Sequence, residues 1–196
     1  MRCANRIYLA AVAASALLAL TACGGAASSG PGHSSPSTSA STSPASPASA
    51  ASSPDCNAQV ASWRDNGGLA GLKAISTDLG TVQQATLGLA AALQNNTGLS
   101  DAESALQTAA ASLQADVQSA QSDLPPDCVP GLRQDERAAL TDFDRAAIDS
   151  SNTVSAVENG DYSAADGDIR AANAAMSAGT GKLAAALSDV KQFNGS

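Results

Sequence analysis

The chain predicts an all-α fold: an up-down-up-down four-helix bundle with one disulfide. Three observations carry this. Beyond Asp55, alanine is abundant while aromatic and β-branched residues are sparse. Apolar residues recur there at helical spacing in four long stretches. Short turn signals separate the stretches, as successive antiparallel helices require.

The first stretch reads Leu72, Ile75, Leu79, Val82, Thr86, Leu89, Leu93, a 3-4 alternation that makes a coiled-coil-like seam. A shorter helical piece, Asn57 to Asn66, precedes it with Val60 and Trp63, and Gly67-Gly68 kinks or breaks the join. Asn95-Asn96-Thr97-Gly98 ends this helix. Ser100-Asp101-Ala102-Glu103 then reads as a capping box opening the second. Leu106, Ala110, Leu113, Val117, Ala120 and Leu124 form its stripe, and Pro125-Pro126 stops it.

Pro130 suits the first turn of the third helix. Its stripe runs Leu132, Glu136, Leu140, Phe143, Ala147, Ser151, Val154, Val157, and Asn159-Gly160 supplies a left-handed stop. Asp161 caps the fourth helix, with Ile169, Ala172, Met176, Gly179, Leu183, Ala186 and Val190 on its stripe. Gly167, Gly179 and Gly181 either weaken that helix or let a neighbour approach closely.

Upstream of the bundle the composition changes twice. Arg2 and Arg6 precede an apolar run from Ile7 to Leu20, shorter than the ~20 residues of a membrane-spanning helix and suited to a signal peptide. The run ends in Leu20-Thr21-Ala22-Cys23. This resembles the lipobox of bacterial lipoproteins, which implies removal of residues 1–22 and lipidation of Cys23. The resemblance also implies the membrane as a partner, through a lipid anchor on the extracytoplasmic face. Stable anchoring takes more than one acyl chain, which lipoprotein processing supplies. Beyond Cys23, residues 24–54 are almost wholly Ser, Pro, Ala, Gly and Thr, with no large aliphatic or aromatic residue. They form a disordered linker, which at ~5–6 Å times the square root of its length holds residues 55–196 roughly 30 Å from the membrane.

Removing Arg2 and Arg6 takes the formal charge from −8 to −10. That argues against a nucleic-acid partner and against a basic lipid-binding face.

Cys3 leaves with the signal peptide and Cys23 is lipidated, so Cys56 and Cys128 are left in an oxidising compartment and are expected to pair. The alternative, two free thiols in redox or metal chemistry, has neither a CxxC spacing nor a nearby histidine behind it. The bundle topology supports the pairing, because the start of the first helix and the loop between the second and third lie at one end.

Candidate chemistry is thin. The single histidine, His33, falls in the linker, so the helical domain has no Ser-His-Asp, Cys-His, Glu-x-x-His or common zinc arrangement. No phosphate-binding glycine loop is present. Glu158, Asn159, Asp161, Asp166 and Asp168 cluster around one helix start, where calcium could use their oxygens. The EF-hand pattern fails there, and acids in a first turn stabilise the helix dipole anyway. Asp142, Asp144 and Asp149 read as a solvated face. No catalytic residue, metal ligand or cofactor is assigned, and a carboxylate-only glycosidase lacks the expected cleft.

Trp63-Arg64-Asp65-Asn66-Gly67-Gly68 is the most distinctive string. Trp63 either packs one bundle end near the disulfide or, with Arg64, contacts a partner or ligand. The Trp-x-x-x-Gly-Gly-Leu pattern, followed by Leu72, Ile75 and Asp78-Leu79, resembles a group of uncharacterised Ala-rich helical lipoproteins of actinomycetes. That resemblance implies no activity. The expected function is a non-enzymatic module that binds a protein or envelope polymer, and the alternative is a small-molecule binder with a pocket between helices.

Overall fold

The computed structural model describes residues 54–193, with side-chain surroundings for residues 55–190. The expected signal peptide, Cys23, the expected linker and His33 lie outside the described residues. The described chain runs α1 (Pro54–Trp63), a π-helical turn (Arg64–Gly68), α2 (Leu69–Asn95), α3 (Leu99–Ser122), α4 (Pro130–Glu158) and α5 (Tyr162–Phe193). With α1, the π turn and α2 taken as one bent rod, this is the all-α, up-down-up-down four-helix bundle that the periodicity predicts.

Cross-helix contacts fix the antiparallel order. Ser112 Oγ on α3 donates to Asp78 Oδ2 on α2 at 3.0 Å, and Lys182 Nζ on α5 donates to Asp142 Oδ2 on α4 at 2.6 Å. Cys56 and Cys128 form a disulfide with a Cα–Cα distance of 5.8 Å, joining the start of α1 to the α3–α4 connection. Leu72, Ile75, Leu79, Val82 and Leu89 of α2 meet Leu106, Leu113 and Val117 of α3 in the core, along with the large residues of α4.

Most helix ends follow the local signals. Asn96 adopts the left-handed conformation (φ 53°, ψ 38°), and its backbone N–H donates to the Ala92 carbonyl. Pro130 lies in the first turn of α4, Gly160 takes φ 73°, and Asp161 Oδ1 accepts from the Ala164 N–H at 3.0 Å. The expected capping box at Ser100 does not form. Helix α3 begins one residue earlier, at Leu99, behind Gly98 in the left-handed region (φ 67°), and no side chain caps it. A glycine there lets the chain turn straight into the helix, so Ser100 is already inside it.

Helix α4 is buried over a wider face than one stripe. Ala139, Ala146, Ser150, Thr153 and Ala156 join the expected residues, while Ser151 is only half-buried. The reason is its central position, packed against both α3 and α5. Ser150 and Thr153 stay satisfied there by donating to the carbonyls of Ala146 and Asp149, at 2.8 and 3.0 Å.

The glycines of α5 separate into two kinds. A Cβ at Gly179 would lie 2.5 Å from Phe143 Cε1, so this position lets the ring rest on the helix backbone. Gly167 and Gly181 face open space.

Three outcomes are expected in urea unfolding. Gly179→Ala lowers stability by ~1–3 kcal/mol through overpacking. Gly80→Ala, at an exposed helical site with nothing within 4 Å, raises it by ~0.5–1 kcal/mol. Replacing Cys56 and Cys128 together by alanine costs about 4 kcal/mol in the same assay, given their sequence separation of 72 residues.

Candidate functional site

The least ordinary chemistry lies where the first rod bends beside the disulfide. Gly67 has φ 130°, outside helical geometry, and the rod kinks there. The bend brings Gly68 under the Trp63 ring so closely that a Cβ on Gly68 would fall 2.2 Å from Trp63 Cε2. The Trp63 Nε1–H donates to the backbone carbonyl of Asp123 at 2.7 Å, tying the bend to the end of α3. The Asp123 carboxylate lies beside Gly67, with Oδ2 3.7 Å from where a Cβ would stand. The Gly-Gly pair of the sequence motif therefore serves two separate needs, backbone conformation at Gly67 and room for an indole at Gly68.

Trp63 is 6% exposed and belongs to the core. Arg64 beside it is half-buried, and its Nε lies 2.9 Å from Asp65 Oδ1. Any contact of the Trp63 ring with a partner therefore requires this corner to open.

Glu136 on α4 is the second unusual feature. It occupies the core register of α4 between Leu132 and Leu140 and is 1% exposed, and its Oε2 has no hydrogen-bond partner. Burial first, and the Asp123 charge second, push its carboxyl from the ordinary 4.5 to about 8. At neutral pH the side chain is a neutral acid. The sequence places Glu136 on the apolar stripe, and the signal for its unusual chemistry was there: a carboxylate in core register with no basic residue one turn away on the same stripe.

The other acids behave variously. Asp161 caps α5, and Asp166 pairs with Arg170. Asp142 pairs with Lys182. Asp149 does not lie on a solvated face, as its sequence context suggests, because its side chain is only 15% exposed. Arg145 Nε stands 3.8 Å from Asp149 Oδ2, too far for a hydrogen bond, and that oxygen has no other partner. Burial raises the Asp149 carboxyl, Arg145 opposes this, and Asp168 on the facing helix adds to it. No group of three His, Cys, Asp or Glu residues among those described is placed to hold a metal ion.

Two open grooves mark the surface. One, of about 520 Å³, runs along the start of α4 past Arg133, Gln134, Arg137 and Thr141. Arg133 there is engaged by Asp127 and by the Pro125 carbonyl. The other, of about 440 Å³, lies between α3 and α4 at the opposite end, between Glu103 and Glu158, with Ser104, Gln107, Thr108 and Ser155 along it. The first is lined mainly by apolar surface and the second mainly by polar atoms, and both are open to solvent.

The Glu136 carboxyl makes stability depend on pH with a definite sign. Because its folded value is raised, the folded chain keeps a proton that the unfolded chain has released. Its contribution is complete below about 4.5 and is lost as pH rises to about 8, by at most ~1.4 kcal/mol per pH unit. Urea unfolding across that range measures the slope. Glu136→Gln is expected to remove it, and an equal slope in the variant would assign it to other groups.

Comparison with known protein families, curated proteins and solved structures finds no match to this chain.

Proposed function

We propose that the protein is a lipid-anchored, extracytoplasmic binding module, a bacterial lipoprotein whose helical domain engages a protein or envelope polymer without catalysing a reaction. The observation that carries the reading is the N-terminal order of Arg2 and Arg6, the apolar run Ile7–Leu20, and Leu20-Thr21-Ala22-Cys23. The Ser/Pro/Ala-rich linker that follows is suited to holding a folded domain away from a membrane. Among the described residues no helix is long and apolar enough to cross a membrane, so attachment in this reading depends on the lipid at Cys23.

A binding role is supported by the surface: the two open grooves lie along helices of the bundle and carry groups such as Arg137, Gln107 and Glu103 that a partner can engage. The small-molecule alternative gains less support. Gly179, which would otherwise leave space between helices, is occupied by the Phe143 ring.

Metabolic labelling with palmitate tests the anchor. The wild-type chain is expected to take up label, and Cys23→Ser to lose it and leave the membrane fraction. An unlabelled wild-type chain would overturn the anchor. Crosslinking on intact cells tests the binding role, with recovery of one consistent partner expected. Loss of that partner on substituting Arg137 or Glu103 would place it in one of the two grooves.

A further inference from the structure

Arg64, Arg133, Arg145 and Arg170 each stand beside an aspartate. Arg137 has no such partner among the described residues, in a chain with 18 acidic residues. Its neighbours one turn away on α4 do not supply one. Arg133 lies four residues before it and Thr141 four after. Two like charges at that spacing weaken a helix. Nothing inside the bundle uses the arrangement, and Arg137 is exposed.

The pair lines the groove of about 520 Å³. Residues four apart share a helix face, so α4 presents two rows there: Arg133, Arg137 and Thr141, and beside them Pro130, Gln134 and Ala138. The surface between is mainly apolar, and Asp127 is the one acid along it. Arg133 is held in place independently of that acid, because its Nη1 donates to the Pro125 carbonyl at 3.2 Å. Asp127 itself is 92% exposed, and so open an ion pair exchanges readily for an incoming carboxylate. The Thr141 hydroxyl donates to the Arg137 carbonyl at 2.9 Å, which leaves its oxygen to accept. The Gln134 amide can do both.

The geometry points to a docking groove for an extended acidic segment of a partner protein, with carboxylates at alternate positions on Arg133 and Arg137 and small apolar side chains against Pro130 and Ala138. Guanidinium groups take carboxylates bidentately, which fixes the segment's register. The spacing agrees. One helical turn sets the two arginines ~6 Å apart along α4, and alternate residues of an extended chain are ~6.6 Å apart on one face. From Pro130 to Thr141 the helix rises ~16 Å, the length of about five extended residues. Gln134 and Thr141 offer the donor and acceptors that a peptide backbone needs. A phosphate polymer would match the guanidinium groups but leave the apolar surface uncovered. The peptide groove rests on the binding role proposed above and does not depend on lipidation.

The purified full chain is titrated with a short fluorescein-labelled peptide of alternating Glu and Ala, and fluorescence anisotropy is read. The expected result is saturable binding that weakens several-fold as salt rises from about 50 to about 300 mM. Replacing Glu by Gln in the peptide should weaken it about tenfold or more. Arg137→Ala should weaken it by a similar factor, and Arg137→Glu should abolish it. Far-UV circular dichroism should be unchanged in both variants, since Arg137 is exposed and holds no other described residue. Glu103→Ala, in the other groove, should leave the affinity as it is. Absence of saturable binding, or equal binding by Arg137→Glu, would overturn the peptide groove. Inorganic polyphosphate binding more tightly than the peptide, and losing that binding in Arg137→Glu, would overturn the peptide as its occupant. Failure of the binding role itself is read separately, as no consistent partner in crosslinking on intact cells.

Discussion

The Phe143 ring rests on the backbone of α5 because position 179 has no side chain, and the arrangement of the bundle depends on that contact. The two longest helices, α4 and α5, share the most extensive helix–helix contact among the described residues. That contact makes α4 a central helix with neighbours on two sides. Its buried face widens accordingly, with alanine at 139, 146, 147 and 156. Phe143 is fully buried, which stabilises the fold by ~1.5–3 kcal/mol from the ring alone. In a chain with few aromatics, close contact through alanine and glycine substitutes for the large side chains that most cores use.

The opposite design appears at the bent end of the first rod. There the chain sets a large ring against a glycine pair, one of them non-helical, while α4 buries an acid in its core register. Each departs from what gives the most stable helix. An interior Gly pair weakens a helix, and a core carboxyl without a partner favours its neutral form over its charged one. The disulfide and the indole hydrogen bond offset these costs locally. Departures of this kind are the usual mark of a segment selected for something other than stability.

The rest of the surface is consistent with a domain that meets partners from a tether. The chain is acidic overall, its exposed ion pairs are mostly local, and its grooves are open. Isolated surface pairs such as Arg170 with Asp166 contribute little to stability. The exposed charges therefore bear on solubility and encounter more than on the fold.

Much of the architecture is legible in the sequence because it is decided within a turn or two of chain. Helical period, Pro130 at a helix start, Asn96 and Gly160 at helix ends, and the kink at Gly67-Gly68 are all local matters. The cysteine pairing is legible because topology leaves Cys56 and Cys128 at one end. The capping box at Ser100 misled because Gly98 offered an easier entry two residues earlier. Ser151 misled because a single stripe cannot show that a helix has neighbours on two sides. The ring space at Gly68, the contact at Gly179, the burial of Asp149 and the neutral state of Glu136 were decided only by the tertiary structure. Each depends on atoms brought in from another helix, and a carboxyl's charge in particular is set by the water and partners around it rather than by its place in the chain.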